Sequence, residues 1–159
     1  MKQLLQQLKY GIFLMAIVGI SHLDLTAQHA IPCEYCIDDW GESVVYKPSK
    51  EVKKISNITY VTYGDRELKL DVYLPEKRKK KPTPAILCIH GGGWQFGEKE
   101  MACWMQFSNN LAAEGYVVAN IDYRLSGEAI YPAAVKDCRA AVQWLKHNAE
   151  KYGIDKDAI

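Results

Sequence analysis

The sequence predicts an α/β fold in which parallel strands are covered by helices on both faces of a sheet. Residues 85–89 and 116–122 are largely apolar and have the length of buried strands, and each is followed by apolar residues at helical spacing. A strand, helix, strand, helix order requires right-handed crossovers, which place parallel strands side by side. Both faces of such a sheet are then covered by helices.

Length and composition are those of an ordinary globular protein. The chain has 159 residues, of which 48% are apolar and 25% charged, enough for one domain with a core. Its 20 basic and 19 acidic residues give a net charge of +1, which indicates no nucleic-acid partner. The basic run 77–81 lies between two strands and contains no aromatic residue, so we interpret it as a solvated loop rather than a site for an anionic polymer.

The first residues have the features of a secretory signal peptide. Lys2 and Lys9 flank the start, residues 11–20 are apolar, and small residues precede Gln28. We therefore expect residues 1–27 to be a signal peptide that contacts the membrane only transiently, with an uncleaved anchor as the alternative. The mature protein would be exported to the periplasm or the extracellular space.

Residues 28–54 have no clear period and form an irregular lead-in to the fold. Cys33 and Cys36 lie there in a Cys-x-x-Cys pattern, with a local disulfide and two unpaired thiols as equal alternatives. Cys88, Cys103 and Cys138 fall in strand or helix patterns, and we expect all three to be small buried hydrophobic residues.

The fold begins with a predicted antiparallel hairpin. Residues 55–63 are rich in β-branched and aromatic residues, Gly64 and Asp65 supply a turn, and residues 68–74 alternate strictly between apolar and other residues. This alternation predicts a half-exposed second strand. The order is then hairpin, strand, helix, strand and helix.

The two helices are predicted from their apolar faces. The first has Met101, Trp104, Met105, Ser108, Leu111 and Ala112 on one face and ends near Gly115. The second starts with Pro132 in its first turn, buries Val135, Cys138, Val142, Leu145 and Ala149, and ends at Gly153. Residues 155–159 then turn into the start of a further strand.

The segment that organises the chain is the glycine loop, residues 90–97. It follows the apolar strand 85–89 and contains three consecutive glycines, Gly91 to Gly93. Backbone without side chains can approach a ligand closely and direct its N–H groups at it. Open α/β sheets bind their ligands at the carboxyl ends of the strands. The glycine loop is therefore a predicted ligand site.

Three motifs in this order resemble the α/β-hydrolase esterases: His90-Gly-Gly-Gly-Trp94, Asp122-Tyr-Arg-Leu125, and Pro132 followed by Asp137 and the helix containing 140–145. The resemblance covers residues 55–159, a partial α/β-hydrolase domain. It is strongest to secreted carbohydrate-esterase-like enzymes (acetyl or feruloyl esterases) and to hormone-sensitive-lipase-like carboxylesterases. It implies a small-molecule or carbohydrate ester as substrate, and neither a cofactor nor a metal.

The resemblance also assigns roles in the glycine loop. The amides of Gly92 and Gly93 would donate to the oxyanion of the tetrahedral intermediate, and His90 would support the loop by hydrogen bonds rather than act as a base. Trp94 would be an alternative donor or a wall of the acyl pocket that contacts substrate.

After the fourth strand, the resemblance makes Asp122 and Arg124 structural supports. Pairing of Arg124 with a carboxylate is favoured over binding of substrate.

The catalytic triad of this family is not found in the sequence. No Gly-x-Ser-x-Gly pentapeptide occurs, and Ile159 falls about where the fifth strand should begin. We therefore expect the chain to hold only the oxyanion half of an esterase and to be inactive alone. The alternatives are a non-catalytic chain or binding module on this scaffold, and an exopeptidase-like member of the superfamily. Strand 85–89 would then lie at an open sheet edge and promote aggregation.

Overall fold

The computed structural model describes residues 45–77 and 81–159. The predicted signal peptide, most of the lead-in with Cys33 and Cys36, and part of the basic run lie outside the described residues. Within them the chain forms a mixed sheet with helices. The elements are β1 (Val52–Tyr63), β2 (Arg66–Pro75), β3 (Ala85–Ile89), α1 (Ala102–Ala113), β4 (Val117–Ile121), α2 (Ala133–His147) and α3 (Ala149–Tyr152).

The predicted hairpin is present, but its second strand is more buried than the alternation indicated. β1 and β2 pair antiparallel, and β2 also pairs antiparallel with β4, so that β2 lies in the interior of the sheet. Asp71 and Tyr73, which alternation placed on an exposed face, are buried. The half-exposed β2 was a wrong prediction, because α1 comes from a later part of the sequence and packs over the face that carries Tyr73.

β3 and β4 form the predicted parallel pair. The strand order is β1-β2-β4-β3, which leaves β3 at an edge of the described sheet. Ala85 and Cys88 are buried, but Ile89 is 44% exposed. The prediction that β3 is buried on both faces was therefore only partly correct. At the start of its free edge, Thr83 forms a parallel bridge with Ile154 and the Ala85 amide donates to Ala158. Residues 154–158 thus lie beside the start of β3.

Two apolar clusters form the cores on the opposite faces of the sheet. α2 and α3 pack over one face, where the larger cluster includes Leu68, Leu70, Val72, Ile121, Ala141 and Leu145. α1 packs over the other, where Tyr73, Cys88, Ala112 and Val118 meet. Each strand therefore contributes alternate residues to two helix-covered cores, as an α/β fold requires.

The helices differ from prediction in detail. α2 buries Ala133, Asp137, Ala141 and Leu145, whereas Val135 is 48% exposed, so the predicted face was rotated. Pro132 is the N-cap residue rather than a member of the first turn, and Gly153 follows the short α3 in a left-handed conformation. In the part of the chain that the structure describes, no helix is long and apolar enough to span a membrane.

The cysteines are of two kinds. Cys88 is buried and Cys138 half-buried, and both are free. Cys103, near the start of α1, is half-buried and disulfide-bonded. The prediction that Cys103 is only a small buried hydrophobic residue was therefore wrong, since a helical pattern around a cysteine does not show whether the cysteine is bonded.

Candidate functional site

The glycine loop begins at the carboxyl end of β3. Its first residue, His90, is held by Tyr123, which follows β4. The buried His90 ring stacks on Tyr123 with 4.3 Å between ring centroids. The Tyr123 hydroxyl donates to the His90 carbonyl oxygen at 2.9 Å. The His90 Nδ1 lies 2.8 Å from the Gly91 carbonyl oxygen. These contacts fix the direction in which the chain leaves the sheet.

At two positions of the loop, other atoms of the loop come so close that only glycine fits. A Cβ atom at Gly92 would lie 2.0 Å from the Phe96 carbonyl oxygen, and its φ of +121° disfavours any other residue. A Cβ atom at Gly97 would lie 2.5 Å from both the Gly91 carbonyl oxygen and the His90 Nδ1. The loop is thus folded back on itself so tightly that side chains are excluded at both positions.

The fold-back leaves main-chain donors unused. The Gly92 carbonyl oxygen accepts hydrogen bonds from the amides of Gln95 at 3.0 Å and Phe96 at 3.2 Å. In the described part of the chain, the amides of Gly92, Gly93 and Trp94 donate to no protein acceptor. Consecutive unused amides in a tight loop form a concave site that suits an anion.

Trp94 adopts a conformation that is uncommon for its residue type. Its φ is +61°, in the left-handed region, which costs of order 1–3 kcal/mol unless the surroundings enforce it. Here its carbonyl oxygen accepts the Ser126 amide at 2.7 Å, which ties the glycine loop to the segment after β4.

A cavity of about 490 Å³ adjoins the loop, a volume typical of small-molecule sites. It is lined by the three glycines and by side chains of the loop and the start of α1, namely Gln95, Phe96, Met101, Cys103 and Trp104. Trp94 is not among the lining residues and its side chain is 64% exposed. The predicted contact between Trp94 and substrate remains a prediction, and the aromatic wall consists of Phe96 and Trp104.

Asp122 and Arg124 follow β4, and each contacts residues from other segments of the chain. The Asp122 carboxylate accepts the Lys99 amide at 2.8 Å, while the Tyr60 hydroxyl donates to the Asp122 carbonyl oxygen at 2.6 Å. Burial raises the pKa of Asp122 above its usual value, and the hydrogen bond and charge of Lys99 only partly oppose this.

Arg124 has the carboxylate partner that the sequence favoured. Its Nη2 and Nε atoms lie 2.7 and 2.9 Å from the two carboxylate oxygens of Asp137, and its backbone amide donates to the same group at 3.0 Å. Burial acts to raise the pKa of Asp137, but the hydrogen bonds from Arg124 outweigh it and hold that pKa below its usual value. The guanidinium also lies 3.7 Å from the Tyr63 ring centroid.

Sequence reasoning missed Lys99, which lies between the glycine loop and α1. Its flanking glutamates are exposed, yet Lys99 itself is only 4% exposed and contacts Asp71 and Glu100. The sequence contained one signal for it. Asp71 interrupts the apolar residues of β2, and a carboxylate inside a sheet needs a cationic partner.

Chemically, the described site can stabilise negative charge. Its unused amides face no acceptor of the described chain, and its cavity is mostly apolar. Among residues 45–77 and 81–159, no group of three or more His, Cys, Asp or Glu side chains is placed to hold a metal ion.

Several known proteins that are similar to this chain in sequence or in fold are esterases. Residues 70–159 match the family model BD-FAE. The chain is 33% identical to esterase LipC of Mycobacterium tuberculosis over 100 residues, covering 62% of this chain and 25% of that protein. Esterase B from Lactobacillus rhamnosis superposes with a TM-score of 0.60 at 28% identity, covering 69% of this chain and 35% of that one.

A truncated carbohydrate esterase from gut microbiota superposes with a TM-score of 0.57 at 29% identity, over 69% of this chain and 39% of that one. The chain therefore spans between a quarter and two fifths of the length of these three proteins. The family model covers more than half of the chain, and the sheet and helices match the N-terminal part of the esterase fold. The chain belongs to the BD-FAE family and has the fold of the N-terminal part of the α/β-hydrolase esterases.

Proposed function

We propose that this chain forms the oxyanion-stabilising part of a carboxylic-ester hydrolase. The observation that carries the proposal is the set of unused amides at Gly92, Gly93 and Trp94 beside an apolar cavity. The esterase relatives support the same reaction class.

In the proposed reaction, a nucleophile attacks the ester carbonyl carbon and negative charge develops on the carbonyl oxygen. Donors preorganised at about 2.7–3.1 Å from that oxygen stabilise the charge without rearranging. Gly92 and Gly93 would supply these donors. The attacking serine, in a Gly-x-Ser-x-Gly turn, would lie outside the 159 residues, since no such pentapeptide occurs in them.

We further propose that the substrate is an acetyl or feruloyl ester of a carbohydrate. The likeness to a carbohydrate esterase supports the sugar, and Phe96, Met101 and Trp104 supply an apolar and aromatic surface for an acyl group. Because these three side chains line the cavity beside the glycines, they would contact the acyl part of the ester.

We also propose that the protein is exported from the cytoplasm. The pattern of residues 1–27 supports a signal peptide. The disulfide bond of Cys103 supports an oxidising compartment, since disulfides persist outside the cytosol and are rare within it.

The first test compares this chain with a longer one. The coding sequence beyond Ile159 should encode Gly-x-Ser-x-Gly within about 10–15 residues, the reach of one strand and its turn. The longer protein should hydrolyse p-nitrophenyl acetate and feruloyl esters, whereas the 159-residue chain should give no turnover above background. A longer protein without the pentapeptide would exclude a serine esterase.

Gly92→Ala in the active longer protein then tests the loop. We expect kcat to fall about 10²–10³-fold, as when an oxyanion donor is lost, because the new Cβ displaces the Phe96 carbonyl. Gly127→Ala is the matched control, since a Cβ there meets no atom within 4 Å. Equal kcat values for the two variants would contradict the proposed role of the loop.

A non-catalytic binding module remains the second candidate, favoured by the lack of the nucleophile pentapeptide in the sequence. It predicts that even the longest natural chain binds ester ligands without turnover. Activity that a serine-directed phosphonate abolishes would exclude it.

A further inference from the structure

Lys99 is buried although it belongs to a short, polar connection between the glycine loop and α1. Its neighbours Glu98 and Glu100 are exposed, whereas Lys99 is 4% exposed. A lysine in such a segment would normally place its ammonium group in water, because a buried charge is costly unless it is paired. The inward direction of this side chain therefore requires a specific partner.

That partner is Asp71 in the interior strand β2. The Lys99 Nζ lies 3.2 Å from the Asp71 Oδ1 and 2.7 Å from the Glu100 Oε1. Asp71 is fully buried, its Oδ1 accepts the Asn57 amide at 2.9 Å, and its Oδ2 lies 2.9 Å from the Lys54 Nζ. The carboxylate is thus fixed by the hairpin, and it offers Lys99 one defined position.

The backbone of Lys99 is held as firmly as its side chain. Its amide donates to the Asp122 carboxylate at 2.8 Å, and its carbonyl oxygen accepts the Asn120 side-chain amide at 3.3 Å. Asn120 in turn accepts the hydroxyl of Ser108 on α1. Lys99, two residues after the glycine loop, is therefore contacted by β2 through Asp71 and by β4 through Asn120, and Asn120 links it to α1.

The N-terminal end of the loop is held separately, through His90 and Tyr123. With one end fixed there, the direction of the intervening amides depends on where the other end is held. Lys99 does not line the cavity beside the glycines.

We propose that Lys99 is a positioning residue whose buried pairing with Asp71 holds the C-terminal end of the glycine loop and so directs the amides of Gly92 and Gly93. The consequence for catalysis rests on the proposed esterase function, whereas the consequence for the loop does not. A buried ion pair suits this role, because it accepts one geometry where an apolar contact would tolerate sliding.

The test compares Lys99→Met, which keeps the side-chain length and removes the charge, with Lys99→Arg, which keeps the charge. Lys69→Met is the control, since Lys69 pairs with Glu67 on the hairpin surface. Hydrogen exchange followed by mass spectrometry is measured on the full natural chain. We expect the peptide covering residues 90–98 to exchange about tenfold faster or more in Lys99→Met through its hydrogen-bonded amides, those of Gln95 and Phe96, and at the wild-type rate in the other two variants.

The same variants are assayed for ester hydrolysis. Lys99→Met should lower kcat by up to about a hundredfold with KM nearly unchanged, because misplaced donors weaken binding of the transition state and leave ground-state binding intact. A parallel rise in KM with unchanged kcat would overturn the positioning role. An inactive wild-type protein would contradict the proposed function only, since hydrogen exchange still decides the role of Lys99.

Lys99→Met leaves Asp71 with one partner fewer and can impair folding. The double variant Asp71→Asn with Lys99→Met removes both charges of this pair, so that neither is left buried alone, and Lys54, the other partner of Asp71, is partly exposed to water. It should fold and still show fast exchange in residues 90–98. Wild-type exchange in either folded variant would overturn the proposal.

Discussion

The guanidinium of Arg124 contacts both the Asp137 carboxylate and the ring of Tyr63. Asp137 is fully buried and belongs to α2, whereas Arg124 follows β4, so the pair joins a helix to the sheet. The lowered pKa of Asp137 means that ionisation of this group favours the folded state.

Arg124→Met should therefore destabilise the protein by about 3 kcal/mol at pH 7, because it leaves a buried carboxylate unpaired. The pair contributes fully above the ordinary pKa of an aspartate, and its contribution is lost as the pH falls through the lower pKa of the folded state. The gap between wild type and variant should thus narrow below about pH 4. Urea unfolding at pH 7 and pH 3 measures both values.

Arg66→Met is the control for this experiment. Arg66 pairs with Glu128, but its side chain is half exposed, and exposed pairs contribute at most about 1 kcal/mol. Equal losses for the Arg124 and Arg66 variants would contradict the importance of the buried pair.

Strand β3 shows how position in the sheet decides the behaviour of an element. It is apolar and pairs only with β4 along its length in the described sheet, apart from the contacts at residues 83–85. An apolar strand with an open edge is a template for intermolecular pairing. We expect the 159-residue chain to be marginally stable and to aggregate.

Ile89→Lys should slow this aggregation, because a lysine at an open edge opposes pairing with a second chain. Val135→Lys is the control, because Val135 has a similar exposure (48%, against 44% for Ile89) but lies on helix α2. Light scattering at equal protein concentration should show a larger delay for the Ile89 variant. The same delay in both variants would mean that general solubility, rather than the edge of β3, governs the process.

The elements that sequence patterns predicted well are those whose neighbours are close in the chain. The hairpin, the parallel pair β3 and β4, and both long helices follow from local composition and periodicity. The burial of β2 on both faces did not, because the second face is covered by α1, which comes later in the sequence. The rotated face of α2 has a similar cause, since Asp137 is buried by its partner Arg124 rather than by hydrophobicity.

At the scale of the whole molecule, the glycine loop was found from its motif, but the residues that hold it were not. His90 and the glycines are consecutive in sequence. Lys99, Asp71 and Asn120 come from three segments and meet only in the folded sheet. The disulfide of Cys103 was also missed, because a helical pattern around a cysteine does not show whether the cysteine is bonded.

Differential alkylation tests that disulfide and the proposed compartment together. In denaturant without reductant, Cys88 and Cys138 should be labelled and Cys103 should not, until a reductant is added. Protein retained in a reducing cytosol should instead label at all three positions. Labelling of Cys103 in unreduced, exported protein would contradict the disulfide.

The turn at Gly92 has an evolutionary consequence. Its carbonyl oxygen closes the turn by accepting the main-chain amides of residues 95 and 96, so the hydrogen bonds that shape it involve no side chain. The side chain of Gln95 is exposed and lines the cavity. Point substitutions at this codon can therefore alter ligand preference while the donors keep their places, which gives the lineage a route to new substrates that spares the reaction itself.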